Sequence, residues 1–385
     1  MINFRAFRKL FVEEKIFVFI ILISIISSLR ALFIPLVADE ITYNKLAENL
    51  LSGRYYLTNY PSTVTPIIPL VFAFFKIKSM PVLGFIMHKL FNLTLTIFTL
   101  RYIYLFFEKQ KVDKRVVIAI LALTMVNPIG IAYFSSLYPE AIVFFCFWGF
   151  IYYSTLKFSN KNLLKMLLFF LVLVLTRYVY AVLGLVVLLI YYQYLKEDRK
   201  KYSGKIIKYS VLVFIPFLFW AKYIYNIEQS NLSEISYFKR FKVDNPLLYN
   251  IKCGLGIIKH HEVDKINGTP AFASLFVPIT GFRNIIISLV MLLAFILGYI
   301  LKEKTSGIKI LFLSIILIMV GLVFAGTGFS RYWLVLMPGY FLGFYFLWDK
   351  LKLKTIWFIY MAQALSLIYM VNEFRLDIMI LSNHL

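Results

Sequence analysis

Two carboxylates stand side by side where a long apolar run ends. Asp39 and Glu40 follow the stretch 16–37 almost directly and open a polar segment. A third acid, Glu140, closes the turn Ser135-Ser136-Leu137-Tyr138-Pro139 between two further apolar runs. Carboxylates placed like this can take a proton from a hydroxyl. If they converge, Asp39, Glu40 and Glu140 could hold a divalent metal ion, although hard cations usually want more oxygen ligands. Three basic residues face the same side: Arg30, inside the first apolar run, Arg177 and Arg331. Guanidiniums there would hold a phosphate. Each residue also has a plainer role. Asp39 can cap a helix, Glu40 and Glu140 can complement a helix dipole, and the arginines can snorkel to headgroups.

The elements that must position these groups are apolar helices. Of 385 residues 61% are hydrophobic and 16% charged. A soluble domain runs near half apolar and a quarter charged, so lipid is the solvent that fits. A spanning helix needs roughly 20 mostly apolar residues. The runs 16–37, 81–107, 116–134, 141–156, 163–175, 178–195, 206–225, 282–301, 308–324, 332–348 and 355–371 qualify or nearly do, which predicts an all-α polytopic membrane protein with about eleven spans. The first reads as a retained signal anchor. The shorter run 66–75 reads as an interfacial or re-entrant piece.

The net charge of +22 invites a nucleic-acid partner, but its distribution argues for membrane lipid instead. Most of the 41 Lys and Arg fall on one set of alternate loops, among them 108–115 and the Lys-rich 196–208. The positive-inside rule then puts those loops and the N-terminus in the cytoplasm, and 38–80 and 226–281 outside. No cytoplasmic loop carries a phosphate-cradling glycine motif, so any chemistry belongs on the outer face. The chain divides into a transmembrane module (1–225), an outer cap (226–281) and closing helices (282–385). In the cap, His260, His261 and Tyr249 are candidate acceptor contacts, more readily ordinary surface residues. Asn231-Leu-Ser and Asn267-Gly-Thr match glycosylation acceptors. Cys146 and Cys253 are too few for a disulfide framework.

In the first outer segment, Tyr43, Leu46, Ala47, Leu50 and Leu51 share one helical face, with Asp39 placed as N-cap and Gly53 as the residue past the end. An acidic pair after the first span, then Tyr-x3-Ala-x2-Leu-Leu-x-Gly-x-Tyr-Tyr and the proline-rich 61–70, resembles the opening of the GT-C superfamily of polyprenyl-phosphate-sugar-dependent glycosyltransferases. The likeness is greatest to the protein O-mannosyltransferase and lipid A aminoarabinose transferase group, and it covers roughly the first 200 residues. It implies interfacial helices in the first outer loop and Asp39 as the catalytic acid, a general base in an inverting transfer. It further implies Glu140 as a second active-site carboxylate, with Lys89, Arg177 and Arg331 on the donor phosphate and some members metal-dependent. The donor would be a polyprenyl-phosphate sugar, the acceptor a lipid, glycan or protein, and the site a bacterial plasma membrane. Two other classes stay open: a polymerase of lipid-linked repeats, which would want an arginine-rich outer loop where 226–281 has only Arg240, and a lipid-linked-sugar flippase, which would need a polar path across the membrane.

Overall fold

A computed structural model describes residues 15–53, 64–76, 79–230, 243–259, 266–277, 281–326 and 330–382. The N-terminal residues, Pro61, the 231–233 tripeptide and the His260-His261 pair lie outside them. The described residues form helices and no strand. In chain order these are α1 (Lys15–Ser28), α2 (Asp39–Leu51), α3 (Ile67–Phe75), α4 (Pro81–Lys109), α5 (Lys114–Val126), α6 (Pro128–Phe134), α7 (Glu140–Ser154), α8 (Asn160–Thr176), α9 (Gly184–Ser230), α10 (Pro246–Leu255), α11 (Ile285–Leu301), α12 (Ser306–Phe324), α13 (Ser330–Leu334), α14 (Met337–Lys350) and α15 (Thr355–Ser382). Three 3-10 segments join them at Leu29–Phe33, Tyr178–Leu183 and Thr269–Leu275.

The apolar runs are helical, but fewer are long than the sequence suggests. Among the described residues five helices are long and apolar enough to cross a membrane, or six if a bent pair is one span. The bent pair is α5 and α6, read in the sequence as one span and broken by 68°. Asn127 makes the break: its Oδ1 accepts from the amides of Ile129 and Gly130, and Pro128 starts the new helix with no amide to lose. Helices of 15 residues such as α7 reach only about 22 Å, short of the ~30 Å hydrocarbon layer. They can be short because protein, not lipid, surrounds them. Every residue of α5 from Val116 to Val126 is buried, as is most of α7. Lipid-type surface lies on α1, α4, α9, α11 and α15, where Ile26, Val82, Phe219, Ile286 and Val371 are exposed.

The long element α9 is a hairpin. Asp198 leaves helical geometry at φ −157°, ψ 94°. Trp220 Nε1 donates to the Tyr178 hydroxyl at 2.8 Å, where a straight helix would separate them by about 60 Å. Tyr191 and Ser210 close the hairpin with a 2.7 Å hydroxyl bond. Elsewhere small residues set close crossings. A Cβ on Gly298 of α11 would lie 1.9 Å from the Gly343 carbonyl oxygen of α14. Hydroxyls inside helices are satisfied locally: Ser24, Thr124 and Ser314 donate to the carbonyl four residues back.

Candidate active site

Five chain segments meet at the end of the bundle that holds the 135–139 turn. Each is fixed by a polar tether to its neighbour. Lys89 of α4 donates to the carbonyl oxygens of Ala31 and Ile34, ending the 3-10 turn after α1. Asn92, one helical turn on, donates to the Ser136 carbonyl at 2.6 Å. Glu40 accepts from the amides of Val37 at 3.0 Å and Leu137 at 2.7 Å. Thr65 donates to the Thr176 carbonyl, which holds the end of α8 where Arg177 leaves the helix. Trp148 of α7 donates to the Val335 carbonyl beside α13, the helix carrying Arg331. These bonds satisfy backbone groups that have no lipid partner, and they also aim the chemistry.

The aimed groups are Asp39, Glu140, Arg177 and Arg331. Arg177 Nη2 donates to Glu140 Oε1 at 2.8 Å. Arg331 Nε lies 3.7 Å from the same oxygen, and Arg331 Nη2 donates to Asp39 Oδ2 at 2.8 Å. Two acids and two bases thus alternate in a chain of zero net charge. Tyrosines surround it. The Arg177 guanidinium stacks 4.1 Å from the Tyr332 ring centre, and Arg331 lies 4.7 Å from that of Tyr138. Arg331 Nη2 also donates to the Tyr332 hydroxyl at 3.2 Å. The Glu140 side chain is 2% exposed and its Oε2 has no hydrogen-bond partner, whereas Asp39 is 47% exposed. Asp39 is the acid a solvent-borne or lipid-borne hydroxyl can reach.

Charge and burial shape the site's protonation. Burial works against the charge on both arginines, but Tyr332 and Glu140 outweigh it, so both pKa values rise. Tyr138 is pushed up to about 12 by burial, with Arg331 pulling the other way. The backbone is strained beside the exposed acid. Ala38 has φ 46° and ψ −119°, outside the regions open to a residue with a Cβ, at a cost of about 1–3 kcal/mol.

The structure sorts the sequence candidates. Asp39, Glu140, Arg177 and Arg331 come together. Asp39 is the first residue of α2 rather than its cap; Ala38 holds the cap position and no side chain caps the helix. Gly53 does follow the helix end, at φ 80°. Glu40 turns away from the cluster toward two backbone amides, and burial pushes its carboxyl above the ordinary value. Glu40 therefore does not join Asp39 and Glu140 as a cation ligand. Among the described residues no group of three or more His, Cys, Asp or Glu is placed to hold a metal ion. Lys89 is spent on two carbonyls. Arg30 is spent on α15, with Nη1 2.7 Å from Glu373 Oε2 and 2.8 Å from Asp377 Oδ1. Its side chain is 9% exposed, and Nη1 is shared between the two carboxylates. Tyr249 belongs to α10, and Cys146 and Cys253 are free thiols, both buried.

Sequence reasoning missed Glu373, Asp377 and Tyr332. The two acids lie one helical turn apart, a spacing that marks a continuing helix face, but the last apolar run ends before them. The fold and the site together define a multi-pass helical protein embedded in a membrane, with an alternating acid–base cluster at one end. No protein-family model matches the chain, and no curated protein is significantly similar to it.

Proposed function

We propose that the chain is a glycosyltransferase of the plasma membrane, moving a sugar from a polyprenyl-phosphate donor to a hydroxyl acceptor on the outer face. The observation that carries this reading is the convergence of Asp39, Glu140, Arg177 and Arg331 from four separate segments, with Asp39 exposed, Arg331 bonded to it and Arg177 on the far side of Glu140. Asp39 takes the proton of the acceptor hydroxyl, and the acceptor oxygen attacks the anomeric carbon. The bond from that carbon to the phosphate oxygen breaks, inverting the centre. Arg177 and Arg331 offset the charge gathering on the departing phosphate, a role that wants preorganised cations in a water-poor site. A lipid-linked donor suits a chain whose cytoplasmic loops offer no nucleotide site. The short helices complete a set of about eleven crossings, with the N-terminus cytoplasmic and the basic loops against anionic lipid. The acceptor is a lipid, a glycan or a protein.

The test supplies purified protein in lipid nanodiscs with radiolabelled polyprenyl-phosphate hexoses and follows label into lipid, glycan and protein fractions. Wild type should transfer label, and Asp39→Asn should lose roughly a hundredfold or more of the rate. Transfer that survives Asp39→Asn sinks the assignment of the base. Label that only changes leaflet makes the chain a flippase, and label that lengthens a lipid-linked glycan by repeat units makes it a polymerase.

A further inference from the structure

Asp39 and Arg331 occupy each other. The 2.8 Å bond between them joins the groups that the proposed function needs for two different partners. A carboxylate held by a guanidinium is a poor base, because taking a proton breaks the pair. A guanidinium holding a carboxylate is a poor anion site. The rest of the cluster does not share this conflict. Glu140 is buried and keeps both arginines as neighbours through Oε1, so one of their two charges stays compensated when Asp39 leaves. Asp39 is the member free to leave. It is half-exposed, it makes no capping bond to its own helix, and it hangs on the strained Ala38 linkage.

We infer that an incoming phosphodiester exchanges with Asp39 on Arg331, so that donor binding itself releases the base; this rests on the glycosyltransferase reading. The phosphate oxygens take over the Arg331 donors and Asp39 swings free. The cluster then carries one negative charge where it carried none, and a proton on Asp39 relieves it. That proton comes from the acceptor hydroxyl. The acceptor oxygen bonds to the anomeric carbon, and the electron pair of the broken carbon–oxygen bond leaves with the phosphate. The phosphate becomes a monoester with one more negative charge, facing Arg177 and Arg331. Binding is therefore ordered, donor before acceptor, and a hydroxyl arriving first meets a carboxylate already engaged.

Affinity for polyprenyl phosphate without a sugar tests the exchange and needs no turnover. The proteins compared in nanodiscs are wild type, Asp39→Asn, Asp39→Ala, Arg331→Gln and the double variant Asp39→Asn with Arg331→Gln. Asp39 competes with the probe in the wild type, so both Asp39 variants should bind it more tightly, by about two- to fivefold, the worth of a pair whose acid is half-exposed. Arg331→Gln should bind weakly, and adding Asp39→Asn to it should change nothing further. Equal or weaker binding by both Asp39 variants overturns the exchange and leaves the donor reading standing. Absence of probe binding in wild type and Asp39 variants alike overturns the donor reading together with the exchange.

Discussion

Removing Arg30 should unfold this protein more readily rather than starve it of donor. Its guanidinium is the only cation within ion-pairing distance of Glu373 among the described residues, and the two side chains are 9% and 2% exposed. Beyond that contact neither Glu373 oxygen has a hydrogen-bond partner among the described residues, so Arg30→Met leaves a buried carboxylate with nothing to hold it. Asp377 fares better, since it is 17% exposed and keeps the Ser27 hydroxyl at 2.6 Å. Breaking a buried pair by removing one partner costs about 3–5 kcal/mol, and the partial access of Asp377 points to the lower end. For a chain of this size that is about 5 °C or more in melting temperature. Tryptophan fluorescence on heating in detergent gives the measurement. The triple replacement Arg30→Met, Glu373→Met, Asp377→Leu removes all three charges and should recover most of the loss, because apolar residues of similar volume pack as well as a buried ion cluster. A phosphate ligand predicts the reverse pattern, with Arg30→Met melting like wild type and losing affinity for polyprenyl phosphate. That result would refute the structural account of Arg30.

Gly298→Ala should destabilise by about 2–3 kcal/mol in the same melts, because its methyl would collide with the Gly343 carbonyl, whereas Gly204→Ala meets nothing within 4 Å and should be neutral or slightly stabilising. Glu40 has its carboxyl pushed above the ordinary 4.5 by burial, so its stabilising share is complete below that pH and is lost as pH rises through the folded-state value. Wild type should therefore lose stability relative to Glu40→Gln as pH climbs from about 4 toward 7, and parallel melting curves across that range would show that Glu40 does not titrate differently on folding. Lys200→Cys should resist a membrane-impermeant thiol reagent in intact cells, and labelling there would invert the proposed topology.

The helices were legible because lipid-facing and core-facing surfaces are both apolar, which leaves long runs that only a helix can satisfy in a membrane. The span count was less legible for the same reason. An apolar run does not say whether protein or lipid surrounds it, so buried α5 and α7 read like exposed α4. The break at Asn127-Pro128 carried a signal, a capping residue followed by proline, inside a run too apolar to divide by hydropathy. At the site, the residue types were readable and their pairing was not. Asp39, Glu140, Arg177 and Arg331 all sit at ends of apolar runs, which marks one side of the bundle. Arg30 and Lys89 lie inside the runs 16–37 and 81–107 and serve another helix or the backbone instead. Depth in a run separates them from the site residues but does not name their partners, which lie up to 347 residues away.

Those long separations bear on how the protein is made. Asp39 is synthesised 292 residues before the Arg331 that holds it, and Arg30 precedes Asp377 by 347. Asn127 waits 148 residues for the Leu275 carbonyl that receives its amide. A nascent chain thus carries its earliest polar groups through the translocation machinery without their final partners. Until α15 is made, Arg30 in the 3-10 turn after α1 lacks the two carboxylates that pair with it. A chain cut short after α12 would display a lone cation in lipid and an acid at its mouth with no guanidinium beside it. Both are features by which a membrane protease could tell an unfinished copy from a finished one.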